Sequence, residues 1–200
     1  MTYSKEDKHS GKSVPDGLEV DKSDISTEIV NVDTGNQSAE AEDEIDQEFD
    51  VTVLVYDLSG GMAAQYSPML LGIRLEAIYH TSVVVYGKEY FINQGIQINP
   101  NPGNTKYGMP MEILDKGKTF ITEDIFNEFL DDLRNHDENK YHAMNYDLFN
   151  NNCNHFTDVL LDFLVGSNLD KRILNLPDQV LNTPNGQLLR QMIGNGNELV

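Results

Sequence analysis

The pattern of apolar and polar positions changes character close to residue 49. Before it, Ser, Asp, Glu, Thr and Gly dominate, Ile25, Ile29, Val30 and Val32 make one short apolar cluster, and Ala39-Glu40-Ala41-Glu42-Asp43-Glu44-Ile45-Asp46 is an acidic run. Such a stretch buries too little apolar surface to offset the entropy of ordering, so residues 1–48 are expected to be a disordered acidic tail. From Val51 the pattern is that of a folded domain. Val51–Tyr56 is a β-branched run that predicts a strand. Ser67-Pro68 sets a capping residue before a proline and predicts a helix start, followed by Met69, Leu70 and Ile73. Ile78–Tyr86 predicts a strong strand, Gly87-Lys88 a turn, and Glu89–Ile92 the returning arm of a hairpin. The Gly- and Pro-bearing stretch Asn93–Gly108 predicts a loop, and Glu112–Leu114 a further strand.

Helical spacing takes over in the second half. Thr122 is placed to cap a helix whose first turn holds Glu123 and Asp124 and whose buried face holds Ile125, Phe126, Phe129, Leu130 and Leu133. After a polar connection over 135–140, Phe156, Val159, Leu160, Phe163 and Leu164 make the apolar stripe of a second helix. Pro177 and Thr183-Pro184 predict two more helix starts, with Leu188, Leu189, Met192 and Ile193 in the last. Residues 195–200 are expected to fray. Strands first and helices later predict one α+β domain, over residues 49–194.

Charge narrows the partners. Of a net charge of −19, residues 1–50 carry −11, from 15 acids against 4 lysines. With no basic surplus to displace counterions, nucleic-acid binding is not expected, and the acid excess reads as solubility. The N-terminus lacks an apolar signal region, no run is long enough to span a membrane, and no lipidation motif is visible. A single cysteine excludes an internal disulfide and fits a reducing compartment, so the expected location is cytoplasm or nucleus. One Cys and scattered His give no metal-ligand spacing, and no nucleotide-binding glycine motif is present; no cofactor is expected.

The candidate chemistry gathers at Asn150-Asn151-Asn152-Cys153-Asn154-His155. Asparagines are good helix caps, which puts Cys153 at the first turn, where free N–H groups and the positive end of the dipole favour a thiolate. Cys153 in that position can be a nucleophile; the alternative is a small buried apolar residue. His155 follows by two residues and diverges on the helix surface, so it receives no role. The candidate base is His80, near the start of the Val83 strand, where it either serves Cys153 or packs structurally beside aromatics. His9, His136 and His142 lack an element end to fix them. Asn93 and Gln94 on the return strand are possible orienters of His80.

Four blocks then carry a resemblance: Tyr56-Asp57-Leu58-Ser59; Ser67-Pro68-Met69-Leu70-Leu71-Gly72; Tyr79-His80-Thr81-Ser82-Val83-Val84-Val85-Tyr86; and Asn151-Asn152-Cys153-Asn154-His155-Phe156. In order and spacing they resemble the PPPDE peptidase family, in its type 1 desumoylating branch, and Leu176-Pro177 with Thr183-Pro184-Asn185-Gly186-Gln187 adds to it. The resemblance covers about residues 51–193. It implies a circularly permuted papain-like cysteine protease fold, His80 and Cys153 as catalytic dyad, and hydrolysis after the C-terminal Gly-Gly of a ubiquitin-like modifier, SUMO or ubiquitin, through an acyl-enzyme. It also implies a homodimer. Two alternatives stay open: an S-acyl thioesterase using the same dyad, and a silent binding adaptor. An apolar tunnel or a slim polar groove would separate the first two.

Overall fold

The computed structural model describes residues 47–135 and 140–193. Residues 1–46 of the tail expected over 1–48, with His9, and also His136 and the segment after Ile193, lie outside the described residues. The elements are β1 (Phe49–Asp57), α1 (Met62–Leu71), β2 (Tyr79–Val85), β3 (Lys88–Asn93), β4 (Gly95–Asn99), β5 (Glu112–Thr119), α2 (Glu123–Asn135), a short 3-10 turn (Ala143–Asn145), α3 (Cys153–Val165), α4 (Lys171–Leu174), α5 (Leu176–Leu181) and α6 (Gly186–Ile193). The five strands form one antiparallel sheet in the order β4-β3-β2-β1-β5.

Alternation along the strands gives the sheet two unlike faces. Val51, Val53, Val55, Val83, Val85, Tyr90 and Ile92 enter one core with Phe126, Leu130, Phe156, Leu160 and Leu164 of α2 and α3. Phe126 meets Tyr90 edge-on at 5.0 Å. The other face carries polar residues and rings: Tyr56, Ser82 and Glu89 are joined by hydrogen bonds, and His80 stands between Tyr56 and Phe91. A second cluster, Ala63, Leu71, Leu75, Phe149 and Val180, seats α1 near α5.

Three expectations need correcting. Ser67-Pro68 does not open a helix; α1 starts at Met62 and carries Pro68 inside it. The start is set upstream by the Asp57 carboxylate, which accepts N–H groups of Ser59 (2.9 Å), Gly61 (2.6 Å) and Ile78 (3.0 Å), while Ser59 Oγ accepts the Ala63 N–H at 3.0 Å. Ser67, buried, accepts the Leu75 N–H at 2.7 Å and so ties the chain leaving α1. The stretch read as loop contains β4: Gly95, at φ 90°, makes the tight reversal, and Ile96 and Ile98 pair with Ile92 and Tyr90. The hairpin turn is Tyr86-Gly87 rather than Gly87-Lys88. Both turn residues have positive φ, 52° and 69°, as a two-residue turn between paired Val85 and Lys88 requires. Tyr86 is held there by donating its hydroxyl to the Ile121 carbonyl at 2.6 Å.

Candidate active site

The first turn of α3 is built by its asparagines. Asn152, in extended conformation, is the N-cap, and its Oδ1 accepts the N–H groups of Asn154 (2.9 Å) and His155 (3.2 Å). Its Nδ2 donates to the Leu148 carbonyl at 2.7 Å. His155 Nδ1 lies 2.9 Å from Asn152 Oδ1 and 3.3 Å from Asn152 N, so it closes a capping box; the tautomer sets whether it donates to the first or accepts from the second. His155 therefore has a structural task that the sequence reading did not give it. Asn151 Nδ2 donates to the carbonyls of Lys140 (2.6 Å) and Asn145 (2.9 Å), anchoring the approach to the helix.

Cys153 is the first residue of α3 and is 3% exposed. Burial pushes its thiol up to about 11, against four donors that favour the thiolate: the Thr81 N–H, the Tyr146 hydroxyl, and the N–H groups of Asn154 and Cys153 itself. The helix-start donors are present as the sequence predicts, yet desolvation outweighs them, and the resting group is a thiol.

His80 is the second residue of β2, opposite Tyr56, and is 3% exposed. Its ring lies 4.1 Å from that of Tyr107, 5.7 Å from Phe91 and 5.9 Å from Tyr56. Burial, and then the positive charge of Lys106, push its pKa down to about 3. Its Nε2 is buried without a hydrogen-bond partner among the described residues. Such an imidazole is neutral at pH 7.

Asn154 joins the two candidates. It is 3% exposed; its Nδ2 donates to the Tyr79 carbonyl at 3.2 Å, and its Oδ1 accepts the Thr81 hydroxyl at 2.9 Å. The residue after the cysteine thus grips the residues on either side of the histidine. Tyr107 is a second link: it packs on His80, and its hydroxyl is pushed up to about 12, by burial first and by the Cys153 charge next. Asn154, Thr81, Tyr146 and Tyr107 received no role from the sequence. The first two adjoin Cys153 and His80 in the chain, which was a usable signal; nothing in the Gly-Pro stretch singles out Tyr107. Asn93 ends β3 with a buried Oδ1 that has no hydrogen-bond partner among the described residues. His142 is exposed, ahead of the 3-10 turn.

Behind this first turn lies an apolar groove of about 700 Å³, walled by Met62, Tyr66, Leu70, Leu176, Leu188 and Met192 and reaching Tyr79, Asn152 and Asn154. The neighbours of both candidates line it; His80 and Cys153 themselves do not. Among the described residues no group of three or more His, Cys, Asp or Glu could hold a metal ion, and no helix is long and apolar enough to cross a membrane.

Residues 49–194 match the family model of the PPPDE peptidase domain. Desumoylating isopeptidase 1 of Homo sapiens is 41% identical over 145 residues, covering 72% of this chain and 84% of the relative. The Rattus norvegicus protein of that name is also 41% identical, with the same coverage. The Xenopus laevis one is 39% identical over 143 residues, covering 72% of this chain and 83% of the relative. A match over most of the chain, together with this identity, shows that the chain belongs to the PPPDE peptidase family and is a hydrolase of the peptidase type.

Proposed function

We propose that the chain is a cysteine isopeptidase that removes a ubiquitin-like modifier from target lysines, with SUMO, which the relatives' name points to, as the first candidate. The observation that carries this reading is the turn at Cys153: four donors converge on the sulfur, and Asn154 locks the same turn to both neighbours of His80. His80 before Cys153 is the chain order that a permuted papain-like domain would have.

In the resting site both groups are neutral. As the sulfur attacks the carbonyl carbon of the modifier's last Gly, its proton passes to His80, and a C–S bond forms. The carbonyl oxygen becomes an oxyanion. The donors that face the sulfur, the Thr81 N–H, the Tyr146 hydroxyl and the N–H groups at the helix start, supply its stabilisation. The C–N bond to lysine then breaks, and the His80 imidazolium gives its proton to the leaving amine. Water attacks the thioester, loses a proton to His80, and releases the modifier's carboxyl group and the thiol. Glycines at the scissile end suit a site this enclosed, because they have no side chain to admit.

A second reading, an S-acyl thioesterase with the same dyad, is favoured by one observation: the apolar groove whose lining includes Asn152 and Asn154, on either side of Cys153. The deciding experiment uses SUMO and ubiquitin bearing a C-terminal electrophile, on wild type, Cys153→Ala and His80→Ala. An adduct with one modifier, lost in both variants, supports the isopeptidase and identifies the modifier. Labelling of Cys153 only by a long-chain acyl electrophile supports the thioesterase. No labelling of folded protein by any of them overturns both.

A further inference from the structure

On the polar face of the sheet Glu89 is fully buried. Its Oε1 accepts the hydroxyls of Tyr56 (2.8 Å) and Ser82 (2.7 Å), and its Oε2 accepts the Asn99 Nδ2 (3.1 Å) and the Gly103 N–H (3.0 Å). Among the described residues it has no ion pair. A buried carboxylate without a cation keeps its charge only at considerable cost, which the four donors offset. Its partners link it to the groups packed around the candidate base. Ser82 is two residues from His80 on the same face of β2, a spacing of about 7 Å. Tyr56, whose hydroxyl it accepts, is the cross-strand partner of His80. Asn99 and Gly103 open the loop that carries Tyr107 onto the His80 ring.

We propose that Glu89 is a positioning residue for His80: its charge stabilises the imidazolium formed when His80 takes the Cys153 proton, and its hold on the 99–103 turn keeps Tyr107 against the ring. The inference rests on the reading of His80 and Cys153 as a dyad. The titratable and charged groups around His80 are Tyr56 on β1, Glu89 on β3, Lys106 and Tyr107 on the loop, and Cys153 on α3, which Tyr107 also senses. Of these, Lys106 is the cation that opposes the imidazolium, and Glu89 is the buried anion, whose charge also acts on Tyr107.

The test is turnover of SUMO carrying a C-terminal fluorogenic amide, read as kcat and KM at pH 7.5. In Glu89→Gln, kcat at pH 7.5 falls about tenfold with KM within twofold. Glu89→Asp recovers most of the loss. Lys106→Gln, on the exposed side of the loop, shifts kcat the opposite way, up about twofold. An equal loss of kcat in Glu89→Asp, or Lys106→Gln lowering kcat, overturns the proposal in favour of a purely structural carboxylate. Should Glu89→Gln not fold, Ser82→Ala decides, because it keeps the charge and removes one donor: kcat at or above wild type supports the proposal, and a tenfold loss overturns it. Cys153→Ala and His80→Ala run alongside. Turnover surviving in either one removes the dyad itself, whereas inactive dyad variants with an indifferent Glu89→Gln remove only this proposal.

Discussion

The firmest consequence of the geometry concerns Asn154. Replacing it with alanine leaves the Tyr79 carbonyl and the Thr81 hydroxyl without their partner, at positions 6% and 0% exposed. Each buried polar group left unsatisfied costs about 1–3 kcal/mol, so the two together cost about 3 kcal/mol after modest relaxation. For a domain of this size that is a fall in Tm of about 6–12 °C. Activity should fall further than stability. On the proposed Cys153–His80 dyad, releasing the Cys153 turn from β2 lets sulfur and imidazole drift, and a misplacement near 1 Å costs about a hundredfold in kcat. Urea titration and calorimetry of Asn154→Ala measure the first effect, and turnover of folded protein the second. A cycle with Thr81→Val isolates the Asn154–Thr81 bond, with a coupling of about 1–2 kcal/mol. A loss below 1 kcal/mol with full turnover, or strict additivity in the cycle, would refute the argument that Asn154 joins the two halves of the site.

Three further outcomes follow from the same structure. With the Cys153 thiol pushed up to about 11, alkylation by iodoacetamide should rise with pH through 9 and beyond; a rate constant from pH 5 to 8 would mean a preformed ion pair instead. His80 sits near 3 in the folded protein against 6.5 unperturbed, so the unfolded chain binds the extra proton: the contribution is intact above 6.5 and is lost as pH falls toward 3, by about 2 kcal/mol at pH 5, which urea titrations of wild type and His80→Gln at pH 5 and 7.5 will measure. At the start of α6, a Cβ on Gly186 would meet the Val180 carbonyl oxygen at 1.8 Å, so Gly186→Ala should cost about 3 kcal/mol or more in thermal melts and detach the last helix; near-native melting would show that the 180–186 turn can open freely.

What the sequence determined by itself were the features with a local physical cause. The β-branched runs made β1 and β2, and the 3.6-residue stripe behind Cys153 made α3 with Asn152 as its cap, because each pattern suits one backbone conformation and one buried face. The histidine and cysteine were legible as candidates for a similar reason: one stood at a strand start and the other at a helix start. The start of α1 was misread because its cap is an Asp57–Ser59 turn before two glycines, while Ser67, the better-looking cap, faces the Leu75 N–H instead. Only tertiary structure decided the state of the site. A helix N-terminus favours a thiolate, but whether it yields one depends on how much water the packed domain leaves around the sulfur, and here burial overrides the donors. The bridge from Asn154 to Tyr79 and Thr81 spans more than seventy residues, and Tyr107 reaches His80 through a loop held by a carboxylate on another strand. Such contacts have no period in the chain, since they exist only once the sheet has set its register and α3 has docked on it.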